Sequence, residues 1–142
     1  MFERYTEEAR ETIFCARYLA GQFGADAIDV AHLLLAGIRV SGTYLSKLSS
    51  KTIMREELYQ KLEEQLVKGT RKPSSAAIPL SRETKEVLEK AMEEANEMSQ
   101  HYIGIGHLFI GLLWQEGSIA EKFLRENGIS LTVVRTSVQK LG

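Results

Sequence analysis

The chain repeats itself once, in a single register of roughly 75 residues, and this constrains its fold more than any other feature. In that register Thr6 falls on Ser81, Arg10 on Lys85, Glu11 on Glu86, Ile13 on Leu88, Ala16 on Ala91 and Ala20 on Ala95. Further along, Ile28 falls on Ile103, His32-Leu33 on His107-Leu108, Gly42 on Gly117 and Lys47 on Lys122. A duplicated unit of this size folds as two copies of one small motif, so each half can be read with the other as a check. Repeat one is read as about 1–68 and repeat two as about 80–142. Between them lies a linker of about 69–79 that holds both prolines together with Gly and Ser. The two repeats are expected to form one pseudo-symmetric domain.

Each half opens with a hydroxyl residue suited to cap a helix, Thr6 or Ser81, followed by small and apolar residues at helical spacing. In repeat one these are Ala9, Ile13, Ala16, Ala20 and Phe23, and in repeat two Thr84, Leu88, Ala91, Ala95 and Met98. The alanines leave room for a second helix to approach, while Glu7, Glu8, Arg10, Glu11 and Arg17 fall on the solvated side. Gly24 is expected to end the first helix. The segments 30–38 and 105–114 are apolar nearly all round, which predicts buried central helices. Turns at Gly42 and Gly117 are expected to lead into short helices near 44–48 and 119–125. Last helices are expected at about 53–68, with Met54, Leu58, Leu62 and Leu66 on one face, and at 131–141, with Leu131, Val134, Val138 and Leu141 aligned. The fold class is therefore all-α, two four-helix units related by a pseudo-two-fold axis.

Composition supports a self-sufficient core. The chain has 142 residues, 44% of them hydrophobic and 26% charged, and a chain of this length buries roughly 70% of its unfolded surface without metal or disulfide. Eighteen Lys and Arg against nineteen Asp and Glu leave no global field to draw the chain onto phosphate backbones, so nucleic acid is not expected as a partner. Cys15, the single cysteine, is expected to be a buried thiol. The first ten residues carry Glu3, Arg4, Glu7, Glu8 and Arg10 where a signal peptide would need an apolar run. The apolar segments are shorter than the roughly 20 residues that span a bilayer. A cytoplasmic location, with no membrane partner, is the expectation.

Chemistry finds little purchase in these residues. The Gly-Lys-Ser/Thr ending of a phosphate-binding loop is absent, so no ATP hydrolysis is expected. Gly104-Ile105-Gly106 begins like a dinucleotide fingerprint, but Phe109 stands where the third glycine belongs. His32 and His107 recur at the same point of the repeat. They have no His, Cys or carboxylate neighbour at ligand spacing, so they are read as structural, each tying a ring nitrogen to backbone near the start of the first helix. A metal or catalytic site built on them is the competing reading. His101 is expected in an exposed turn, Trp114 in the core, and Lys68, Arg71 and Lys72 in a solvated linker. No catalytic set, metal site or cofactor motif is assigned.

The opening Met1-Phe2-Glu3-Arg4-Tyr5-Thr6-Glu7-Glu8-Ala9, with the repeated Ile-x-x-x-His-Leu and the glycine-centred turns, resembles the Clp N-terminal repeat domain, the leading module of Clp unfoldases, and the ClpC type in particular. The resemblance covers essentially the entire chain. It implies an all-helical double repeat that is not itself an enzyme, monomeric in isolation, which docks adaptor proteins and unfolded or tagged substrates for the ATPase ring of an unfoldase and its peptidase. A free-standing accessory subunit that modulates the unfoldase or peptidase is the alternative. In ClpC-type domains the residue before the repeated His is typically Glu, and these carboxylates help to hold the guanidinium of phosphoarginine. Here Ala31 and Gly106 occupy those positions, which removes the partner for that cation. Thr6 and Ser81, at helix N-termini that favour an anion, complete the candidate binding set of Thr6, Ala31, Ser81 and Gly106.

Overall fold

The computed structural model describes residues 2–141, except for the side chain of Leu141; Met1, Gly142 and the apolar role expected of Leu141 lie outside the described residues. Seven helices form among them: α1 Glu7–Gln22, α2 Val30–Leu48, α3 Arg55–Glu63, α4 Arg82–Glu97, α5 Ile105–Trp114, α6 Ile119–Glu126 and α7 Leu131–Leu141. Thr6 and Ser81 start α1 and α4 as expected of short hydroxyl side chains. Thr6 Oγ1 accepts from the Ala9 N–H at 3.2 Å and Ser81 Oγ from the Thr84 N–H at 3.1 Å.

The central elements are α2 and α5, apolar on all sides and therefore covered on all sides. Leu34, Leu35, Ile38, Leu108, Phe109 and Ile110 are among their fully buried side chains. Helix α1 packs on α2 and α4 on α5, α3 and α7 back the same two helices, and α2 meets α5 directly, so both halves share one core. Close approach is built in with small residues. A Cβ at Gly37 would lie 2.7 Å from the Phe109 ring, and one at Gly111 would lie 2.5 Å from the Val87 carbonyl oxygen.

The halves are stitched by two short parallel bridges, Tyr5 with Ile103 and Ile28 with Leu80. Ile103 N–H donates to Arg4 O at 2.8 Å and Thr6 N–H to Ile103 O at 3.0 Å; the counterparts are Ile28 N–H to Pro79 O at 2.7 Å and Ser81 N–H to Ile28 O at 3.0 Å. These two sets are the same interaction shifted by the repeat register. In both, the lead-in to a first helix pairs with the lead-in to the central helix of the other repeat.

Several expectations need correction. Repeat one makes no turn at Gly42: α2 bends at Ser41 (φ −135°, ψ 31°) and continues, so its two limbs do the work of α5 and α6. Gly42 instead makes room for Arg55, whose Cγ would lie 2.2 Å from a Cβ there, and Arg55 Nη1 donates to the Arg39 carbonyl near the bend at 3.0 Å. Repeat two does turn at Gly117, at φ +84°. The helix expected over 53–68 spans only Arg55–Glu63, because Glu63 and Glu64 meet the negative end of its dipole and the following chain is drawn onto α1. Met54 is an exposed cap residue, and Leu66 packs from outside the helix. In α4, Thr84, Ala91 and Ala95 are fully buried as expected, but at the turn between them Val87 is the fully buried residue and Leu88 is buried only partly.

The linker is also less free than a solvated tether. Gly69 N–H donates to Phe23 O at 2.7 Å, a carbonyl that the end of α1 leaves open, and Lys72 N–H donates at 2.9 Å to Gly21 O, which also accepts from Gly24 N–H at 3.1 Å. Arg17 donates to Ala76 O, Lys72 Nζ meets Asp26 Oδ1 at 2.6 Å, and Lys68 Nζ stands 5.9 Å from the Phe23 ring centroid. Trp114 is 45% exposed at the end of α5 rather than in the core, with Lys90 Nζ 5.4 Å from its ring. Cys15 is half-buried, and burial raises its thiol pKa against the opposing pull of Arg39.

Candidate functional site

The crossed bridges bring helix N-termini together in pairs. The start of α1 converges with the start of α5 around a cavity of about 590 Å³, and the start of α4 with the start of α2 around one of about 540 Å³. Each cavity therefore draws on both repeats, which the local sequence pattern alone does not reveal.

Thr6, Gly106 and His107 line the first cavity, with Tyr44, Tyr102 and Val138 supplying much of its apolar wall. Ala31 and His32 line the second, with Phe23, Val30, Leu66 and Ile119. The four candidate positions thus divide as Thr6 with Gly106, and Ala31 with the α4 start that Ser81 caps. Ser81 itself is not in the second wall; Glu83, two residues on, is.

Gly106 has a packing role as well as lacking a carboxylate. A Cβ there would lie 2.4 Å from Val138 Cγ2 and 3.2 Å from the Tyr44 hydroxyl, so α7 occupies the room that any side chain would need. Ala31 is buried on its own account.

The histidines hold the starts of the central helices. Asp29 N–H donates to His32 Nδ1 at 3.0 Å, and Gly104 N–H donates to His107 Nδ1 at 2.9 Å. Each ring thus caps its own helix, α2 or α5, and not the first helix of the repeat. An accepting Nδ1 puts the proton of the neutral ring on Nε2, and His107 Nε2 lies 2.6 Å from Gln100 Oε1, a suitable acceptor. Burial lowers the pKa of both rings below the usual histidine value. Protonation at Nδ1 would point a hydrogen at the N–H it now accepts from.

Two carboxylates in these walls are further candidates. Glu8 and Glu83 stand two residues after the caps, one in each cavity. Glu8 Oε2 accepts from Ser41 Oγ at 2.8 Å, whereas Glu83 has only its backbone carbonyl engaged, by Gln115 Nε2 at 3.1 Å. Their match in the repeat register was the available signal, although helical spacing puts both on the solvated face. His101 is exposed beside Tyr102, at the rim of the first cavity.

Among the described residues no group of three His, Cys, Asp or Glu could hold a metal, and no helix is long and apolar enough to cross a membrane. The buried Glu94 is bound by Arg135 Nε at 2.8 Å and faces Lys90 Nζ at 3.4 Å. These partners hold its pKa down against burial, a structural arrangement rather than a reactive one.

Comparison with known proteins agrees with this architecture. The family model of the Clp repeat (R) N-terminal domain matches residues 4–127 and 80–141. The negative regulator of genetic competence ClpC/MecB of Bacillus subtilis is 30% identical over 141 residues, 99% of this chain and 17% of its own length. The chloroplastic chaperone protein ClpC of Pisum sativum is 32% identical over 143 residues, 99% of this chain and 15% of its own. The crystal structure of the N-terminal domain of the chaperone ClpD from Arabidopsis thaliana superposes with a TM-score of 0.77 at 25% identity, covering all of both chains. The chain thus spans about a sixth of the length of these curated relatives, the part that is their non-catalytic N-terminal domain. With its duplicated helical unit, its crossed bridges and these matches along nearly its whole length, this chain belongs to the Clp N-terminal repeat domain family.

Proposed function

We propose that the chain is a protein-docking module, which holds adaptors and exposed segments of unfolded or tagged clients for a Clp-type ATP-dependent unfoldase. The observation that carries this reading is the pair of pseudo-equivalent, largely apolar cavities, each assembled from both repeats at converging helix starts. Open cavities of this kind suit a few anchoring side chains of an extended partner. A small transient interface gives affinities of about micromolar or weaker, with avidity supplied by the several copies in an assembled ring. The same proposal includes a cytoplasmic setting and a monomeric isolated domain.

Phosphoarginine is not part of the proposed ligand set. Ala31 and Gly106 supply no carboxylate for its guanidinium, and Val138 leaves no space for one at position 106.

A backbone NMR titration with an intrinsically unfolded protein, run in parallel with a phosphoarginine peptide, tests both statements. Localised shifts around Thr6 and Gly106, and around Ala31 and Ser81, are expected with the unfolded protein only. Unchanged spectra with the unfolded protein and with a cognate adaptor, both at high concentration, would refute the docking reading. A saturable phosphoarginine response would refute the second statement.

A further inference from the structure

Phe14 stands on the side of α1 where an amphipathic helix carries charge. The buried side of α1 is formed by Ala9, Thr12, Ile13, Ala16, Leu19 and Ala20, and at about 100° per residue Phe14 falls opposite the middle of that set. It is 70% exposed, Tyr18 one turn on is 55% exposed, and neither belongs to the core. In the repeat register these positions are Glu89 and Glu93 of α4, so the duplicated fold does not require aromatic residues there.

The flanks of this face carry charge that the chain does not neutralise. Arg10 Nη1 donates to Tyr5 O at 2.9 Å, and Arg17 Nη2 to Ser74 O at 3.4 Å and to Ala76 O. These are carbonyl oxygens, which hold the guanidinium groups without cancelling their charge. Among the described residues Glu11 has no hydrogen-bond or ion-pair partner. Measured around the helix from Phe14, Arg10 and Arg17 fall about 40° and 60° to one side, and Glu11 and Tyr18 about 60° and 40° to the other.

That distribution matches a second copy of the same face. When two such helices lie parallel about a two-fold axis, each flank of one meets the opposite flank of the other. Phe14 then meets Phe14 of the second copy, Arg10 lies beside its Glu11, and Arg17 lies beside its Tyr18 ring; the last two contacts are each made twice. An antiparallel pair would instead set Arg10 beside Arg17 and leave Glu11 without a cation. Glu7, two turns from the crossing, stays in solvent as the helices diverge. The same pairing of α4 would set Glu89 against Glu89.

We propose that α1 pairs in parallel with α1 of a second copy, with Phe14 at the two-fold axis. One pair of helix faces buries less than the roughly 1,200 Å² of a stable interface. The expected dissociation constant is therefore about 0.1–1 mM, and the isolated chain is a monomer at micromolar concentration. Several copies held in one ring, as in the docking reading above, would raise the occupancy of the contact.

The test follows the full chain by sedimentation equilibrium and NMR from about 20 μM to about 1 mM, with reductant present so that Cys15 cannot cross-link copies. The apparent mass is expected to rise toward that of a dimer, with amide shifts centred on Arg10, Phe14 and Tyr18. Phe14→Glu, a change at an exposed position, should weaken the association at least ten-fold. Arg10→Glu and Glu11→Arg each set like charges across the contact and should each weaken it several-fold. An equimolar mixture of these two variants restores opposite charges on both flanks and should associate through α1 more tightly than either alone. No concentration dependence up to about 1 mM, association untouched by Phe14→Glu, shifts centred away from α1, or a mixture no tighter than its components would overturn the proposal. Each of these outcomes leaves the docking reading intact, since that reading falls only if the unfolded protein and the adaptor give no response.

Discussion

Replacing Gly24 by alanine should cost far more than replacing Gly117, although both glycines sit at positive φ, +70° and +84°. Left-handed backbone costs a residue with a Cβ about 1–2 kcal/mol. The stiffer unfolded chain returns about 0.4–1 kcal/mol of this. At Gly117 nothing lies within 4 Å of the added carbon, so the net loss there is about 1 kcal/mol or less. At Gly24 the added carbon would lie 2.3 Å from Thr70 O and 2.8 Å from Gly69 C and Thr70 N. These are backbone atoms that cannot rotate aside, so the linker must lift. Its bonds from Gly69 to Phe23 and from Lys72 to Gly21 are then put at risk, at about 0.5–1.5 kcal/mol each. The expected loss for Gly24→Ala is about 2–4 kcal/mol. Urea denaturation of both variants, followed by far-ultraviolet circular dichroism, measures the difference. A Gly24→Ala loss within about 0.5 kcal/mol of that of Gly117→Ala would refute the claim that the linker is clamped to α1. Because Gly69 and Leu66 also wall the second cavity, the substitution should weaken binding there and spare the first.

The register pairs Gly24 with Ser99, which stands at φ 55°. Ser99→Gly should therefore stabilise the protein by about 0.5–1 kcal/mol, strain relief exceeding the added freedom of the unfolded chain; a lower urea midpoint would contradict this. Leu108, only 1% exposed in α5, should cost about 2–5 kcal/mol when cut to alanine, and a loss below about 1 kcal/mol would mean that α5 is not the packed centre. His32 and His107 have folded pKa values below the unfolded value, so the unfolded chain binds protons first as pH falls. Their contribution is complete above the ordinary histidine value of 6.5 and is lost as pH drops through the lowered folded values. The double variant His32→Gln with His107→Gln, which keeps an acceptor at each cap, should flatten the stability profile between neutral and mildly acidic pH; an equal slope in variant and parent would refute the assignment.

Much of this molecule can be read from residue order alone. The duplication, the all-helical class, the caps at Thr6 and Ser81 and the buried identity of α2 and α5 all follow from spacing and side-chain type, which act within a few residues of one another. The kink at Ser41 was not legible, because Gly42 and Gly117 look equivalent until Arg55 is seen filling the space beside one of them. Trp114 read as core for a similar reason: an apolar run does not say where the last turn emerges into solvent.

The candidate site divides in the same way. Thr6, Ala31, Ser81 and Gly106 are picked out as positions by the resemblance to the family, and the histidines as structural by their recurrence in the repeat and their lack of ligand neighbours. That Thr6 faces Gly106 from the other repeat, and that the start of α4 faces Ala31, was decided only by the crossed bridges, whose hydrogen bonds join residues far apart in the chain. The same holds for the pairing of Gly106 with Val138. Helix formation depends on neighbours along the chain, and so residue order determined the elements. A cavity depends on which surfaces those elements leave uncovered once they have packed, and only the tertiary structure decides that.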